Sequence, residues 1–188
     1  MPSARRSRYA GSGDWNAARR KASEERPPVK RNYPQIIAEY RQKIDACYNR
    51  VRGAGTLSEW VSALYAFESE TDTVWRDFDS RGLHVWEQQI TVPKIRDRYF
   101  EIKNAIIGVM KKAIKGYCET IANEMYVDAR RGKAVTADTY KRAVEFEVLN
   151  PISRLPKREA DELAQYYAEV SRAEAQNFAE RLSRLKRP

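Results

Sequence analysis

Apolar residues recur along most of this chain at intervals of three and four, the spacing that lines up side chains on one side of an α-helix. Pro34 suits a first helical position because it lacks the N–H that a helix start leaves unbonded. After it, Ile36, Ile37, Tyr40, Ile44, Cys47, Tyr48 and Val51 form a stripe that ends at Gly53 and Gly55. Thr56 and Glu59 have the spacing of a capping box. They open a second helix through Leu57, Trp60, Val61, Leu64, Phe67, Val74, Trp75 and Phe78, closed by Gly82. Residues 83 to 92, with Leu83, Val85, Trp86, Ile90 and Val92, follow no clear period and are expected to form a packed connection.

From Pro93 a long helix is expected to run to about Arg131, where Gly132 is its natural stop. Ile95, Tyr99, Ile102, Ile106, Val109, Met110, Ala113, Tyr117, Ile121 and Met125 keep its period, and its length would be roughly 55 to 60 Å. Gly108 and Gly116 inside it would either bend the rod or admit another backbone close by. A shorter helix around Thr139 to Leu149 should stop at Asn150 and Pro151. A last one from about Pro156 presents Leu163, Tyr166, Tyr167, Val170, Phe178, Leu182 and Leu185. No segment alternates with a period of two, so the fold class is all-α, an elongated helical bundle. No internal repeat has a solenoid period.

Ahead of this body, Asp14 can N-cap a short helix through Trp15, Ala17, Ala18 and Ala22 that ends before Pro27 and Pro28. Residues 1 to 31 therefore read as an extended, partly helical N-terminal arm, and 32 to 188 as a bundle body with a basic C-terminal tail. Trp15 would either pack on the body or anchor the short helix to a groove of a partner.

Charge separates the two parts further. The chain carries +9 overall, but residues 1 to 31 hold nine basic and three acidic side chains, and residues 181 to 188 hold four basic and none acidic. Residues 32 to 180 hold 22 basic against 23 acidic, so the whole surplus sits at the two ends. Cations uncompensated by neighbours release condensed counterions when they meet a polyanion, which supplies affinity without reading any base. Arg is the only cation before Lys21, and its planar fork matches a phosphate in two places at once. A solvated tail that aids solubility is the bland alternative.

Little in the sequence suggests catalysis. His84 is the only histidine, which removes the usual histidine-rich metal sites, and a lone imidazole beside Trp86 reads as structural. There is no phosphate-binding lysine loop, no nucleophile elbow and no cysteine pair at zinc spacing. Cys47 and Cys118 fall on helical stripes and read as small, reduced packing residues, with a disulfide as the alternative that two cysteines alone do not establish. A catalytic thiol at either would need His84 as its base. Asp77 with Asp79, and Asp161 with Glu162, read as solvated surface. Three cationic clusters in the body could extend a phosphate track if they share a face: Lys94 with Arg96 and Arg98, Lys111 with Lys112 and Lys115, and Arg130 with Arg131 and Lys133. No run of residues is long and apolar enough to predict a membrane span, and no cofactor is expected.

The order of parts, an Arg-rich start (ARRSRYAGSG), a short basic helix broken by Pro27 and Pro28, then a bundle with a long rod, resembles the major coat proteins of filamentous archaeal viruses of the lipothrixvirus and rudivirus type. The resemblance implies a non-enzymatic structural nucleoprotein of the virion that coats linear double-stranded DNA in a helical filament. It further implies self-association, pairing with a related coat-protein paralogue, a duplex held in the A form and, in some assemblies, an envelope outside. By position, it assigns DNA wrapping to Arg5, Arg6, Arg8, Arg19, Arg20, Lys21, Arg26, Lys30 and Arg31. Two other classes fit the charge pattern: a cellular nucleic-acid binder of chromatin or ribosome type, and a helical scaffold or adaptor whose arm meets an acidic surface.

Overall fold

The computed structural model describes residues 31–185, and the chain divides after Asn32 into two units, of which the second, beginning at Tyr33, is described below. Five helices build that unit: α1 (Tyr33–Val51), α2 (Leu57–Ser80), α3 (Val85–Arg130), α4 (Ala137–Ile152) and α5 (Lys157–Leu185). No strand occurs among the described residues, and the fold is an all-α helical bundle. The partly helical segment expected around Asp14 to Ala22 lies outside the described residues.

The 46 residues of α3 make a rod of roughly 69 Å, against which every other helix packs. Helix α1 runs parallel to it, since Tyr33 meets Trp86 and Asp45 meets Arg98. Helix α2 runs back antiparallel to α1, with Tyr40 against Phe78 and Arg50 against Glu70. Helices α4 and α5 form a second hairpin along the later part of α3, with Tyr140 stacked on Phe178 and its hydroxyl donating to the Cys118 carbonyl at 3.2 Å. Neither α4 nor α5 touches α1.

The stripes read from the sequence supply the core. Ile37, Tyr40, Ile44 and Cys47 are buried from α1, Leu57, Trp60, Val61, Leu64, Phe67 and Phe78 from α2, and Ile95, Ile102, Ile106, Met110, Ile114 and Cys118 from α3. The capping box is made: Thr56 Oγ1 accepts from the Glu59 N–H at 3.2 Å while Glu59 accepts from the Thr56 N–H at 3.1 Å. Gly82 and Gly132 take positive φ, 59° and 82°, where L side chains are strained, and so end α2 and α3. Both cysteines are buried and unbonded to each other.

Three expectations need correction. The stretch 83 to 92 is not a connection, because α3 begins eight residues before Pro93 and continues through it. Its period is present with inverted polarity. Leu83, Glu87, Thr91 and Ile95, four residues apart, are buried, whereas Val85, Trp86 and Ile90 are exposed. Glu87 fixes the start: it is 2% exposed, accepts from the His84 N–H at 2.7 Å and from the Tyr33 hydroxyl at 3.0 Å. Thr91 satisfies its hydroxyl on the Glu87 carbonyl at 2.8 Å. Proline is compatible with helical φ and removes one backbone bond, so Pro93 does not stop the rod.

Helix α4 likewise runs through Pro151 to Ile152, because buried Ile152 completes the series Tyr140, Val144, Val148. Finally, Gly108 and Gly116 admit no neighbouring backbone, since a Cβ at either would meet nothing within 4 Å.

Candidate nucleic-acid interface

Of the residues assigned to DNA wrapping, Arg5, Arg6, Arg8, Arg19, Arg20, Lys21, Arg26 and Lys30 lie outside the described residues. Arg31 is half-buried. The body clusters can be sorted, and the sorting divides each of them. Arg98 is committed to Asp45 at 2.7 Å and Glu101 at 2.8 Å. Lys111 pairs with Glu162 at 2.7 Å, Lys115 with Glu119 at 3.6 Å and Lys133 with Asp128 at 2.8 Å. Lys94, Arg96, Lys112, Arg130 and Arg131 are exposed and have no carboxylate at ion-pair distance among the described residues. Each cluster thus keeps at least one uncommitted cation and ties up at least one on its own chain.

Residues 181 to 185 belong to α5, as the stripe through Leu182 and Leu185 predicts. Arg181 donates to the Asn123 side chain at 2.9 Å and lies over the Tyr126 ring, 4.0 Å from its centroid. It is thereby held against α3, and Arg184 occupies the last turn.

The carboxylates read as solvated surface are exposed, and two of them carry partners. Asp77 accepts from Tyr40 at 3.0 Å and from Lys43, and Lys43 also pairs with Glu39, which meets Arg81. The Lys43 ammonium and the Tyr40 hydroxyl hold the Asp77 carboxyl below its usual range. Spacing in sequence did not signal this, because it joins α1 to α2 across 37 residues. Glu162 is likewise engaged, by Lys111.

An open groove of about 790 Å³ runs between α1 and the first part of α3. Pro34, Ile37, Ala38 and Ile90 give it apolar walls, and Arg41, Lys94 and Arg98 line it with positive charge beside Asp45. Arg41 and Lys94 are exposed and have no ion pair among the described residues.

Among the described residues neither cysteine is set up as a nucleophile. Cys118 lies 34 residues from His84 along the same rod, roughly 50 Å. Burial pushes its thiol up to about 11 and also raises that of Cys47, so neither is a ready thiolate. Among the described residues no three His, Cys, Asp or Glu side chains gather as a metal ion would require, and no helix is long and apolar enough to cross a membrane. No family model, curated protein or solved structure matches this chain.

Proposed function

We propose that this chain is a structural, non-enzymatic nucleoprotein that coats linear double-stranded DNA in a helical virion, gripping phosphates through residues 1 to 31 while the bundle packs against other copies. The observation that carries the reading is the segregation of charge: nine basic and three acidic residues in the first 31, against 22 and 23 in residues 32 to 180. A body near neutrality can be stacked in many copies without repulsion accumulating at each contact. The ion pairs of Arg98, Lys103, Lys111 and Lys133 with acids of the same bundle commit part of the body's cations to the fold.

Phosphate contacts carry no base information, so the reading requires weak sequence preference. The experiment is electron microscopy of the full chain and of a chain lacking residues 1 to 31, each with and without linear duplex DNA. The full chain should form DNA-containing filaments, and the truncated chain should keep its helical circular dichroism and form none. A full chain that binds RNA and DNA alike as a monomer would overturn the coat reading in favour of a cellular binder. A truncated chain that unfolds would make the arm part of the core.

A further inference from the structure

Two observations outside the charged arm meet at one groove, the exposed Ile90 and the cations beside it. The start of α3 turns apolar residues outward, with Val85 73%, Trp86 47% and Ile90 45% exposed, while the buried positions of the same turns hold Glu87 and Thr91. Such an inversion leaves apolar area in water that a self-sufficient fold would have covered. Ile90 lines the groove between α1 and α3, whose cations Arg41 and Lys94 have no partner on their own chain among the described residues. The groove therefore calls for an apolar group flanked by negative charge.

The chain itself carries one. Phe146 on α4 is 71% exposed, and its neighbours are Glu145 and Glu147. From Glu145 through Ile152 the helix has two carboxylates and no cation. Lys141 and Arg142, one turn earlier, bound this acidic stretch, and Glu145 lines a cavity with Lys141 and Arg172. Phe146 does not serve its own groove. Helix α4 makes no contact with α1, and Tyr140 fastens it to α3 at Cys118, 20 residues or roughly 30 Å beyond Arg98 along the rod.

We propose that the groove between α1 and α3 receives Phe146 of a second copy of this chain, with Glu145 and Glu147 meeting Arg41 and Lys94. Donor and acceptor surfaces differ, so the contact can repeat head-to-tail into a ring or a filament, while a closed two-fold pair would make it twice, reciprocally. An aromatic side chain in an apolar pocket with a charged rim is the arrangement that dominates many protein interfaces. The inference rests on, and deepens, the self-association part of the coat reading, and it is a contact between protein surfaces that needs no nucleic acid.

The test is sedimentation of the nuclease-treated full chain over a concentration series, with Phe146→Ala, Lys94→Glu, Glu147→Lys and the combined Lys94→Glu/Glu147→Lys variants. Phe146, Lys94 and Glu147 are all exposed, and circular dichroism checks that each variant folds. The unaltered chain should associate, Phe146→Ala should weaken association at least about tenfold, and each charge reversal should weaken it while the combined variant recovers most of the loss. A monomeric unaltered chain, an unchanged Phe146→Ala variant, or a combined variant no better than the single reversals would each overturn the proposal. Retention of duplex DNA is measured on the same variants. Absence of Phe146-dependent association with filaments on DNA intact sinks this contact alone, whereas Phe146-dependent association without DNA filaments sinks the coat reading alone.

Discussion

Lys103 is the most enclosed cation among the bundle's ion pairs. Its side chain is 15% exposed and it meets Glu68 at 2.6 Å from α2 and Glu159 at 2.7 Å from α5, so one ammonium joins three helices. Burial alone would lower its pKa, but the hydrogen bonds to Glu159 and Glu68 outweigh that and raise it. Burial would raise Glu159, and Lys103 outweighs it in the other direction. The signs fix a window. Glu159 contributes stability above the ordinary 4.5 that is lost as pH falls through its lower folded value, and Lys103 contributes stability below 10.5 that is lost as pH rises through its higher one. Lys103→Met removes the cation and leaves two carboxylates, which should destabilise the bundle by about 3 kcal/mol at neutral pH. Near pH 4 the deficit should shrink, since the stranded Glu159 then protonates readily. Urea unfolding at both pH values checks this, and an equal deficit at the two would show that the pair is not what the substitution removes.

At the scale of the helix, α3 has two glycines in its interior with room around them. Gly108 and Gly116 would each accept a Cβ with no atom within 4 Å, so Gly108→Ala and Gly116→Ala should each raise stability by about 0.5 to 1 kcal/mol through backbone entropy. Thermal unfolding of the chain without nucleic acid measures it, and a decrease in stability would mean that something packs on those faces. The helices themselves were legible where burial is apolar: the stripes of α1, α2 and α5 and the Thr56–Glu59 cap follow from spacing and from hydrogen-bonding groups placed next to each other in sequence. The first eight residues of α3 were not, because periodicity is read from hydrophobicity and there the buried residues, Glu87 and Thr91, are polar and the exposed ones apolar. Glu87 is acceptable inside because the His84 N–H and the hydroxyl of Tyr33, 54 residues away, donate to it. The end of α4 hid behind Pro151 for a related reason, since a buried Ile152 one residue later outweighs a single missing N–H. The groove beside Ile90 was illegible altogether, being formed by residues about 50 apart in sequence whose meeting depends on α1 lying parallel to α3.

At the scale of the whole chain the question is which cations meet a polyphosphate. The bundle pairs Arg98, Lys103, Lys111 and Lys133 with its own acids and leaves others such as Arg130 and Arg131 uncommitted among the described residues. Residues 1 to 31 carry nine basic side chains, too many for their three acids to neutralise. Salt dependence separates these sources, because each cation taken off a phosphate of a B-form duplex reduces the slope of log affinity against log salt by about 0.9. Arg5, Arg6 and Arg8 replaced together by Ala should therefore lower the slope by up to about 3 units. Arg130 and Arg131 replaced together should lower it by less than about 1 unit. Binding of a short linear duplex, followed by fluorescence anisotropy across a salt series, reads both. If the slope instead falls with the pair on α3 and holds with the triple, the folded bundle makes the grip, the first 31 residues do something else, and the coat reading loses the arm on which it rests.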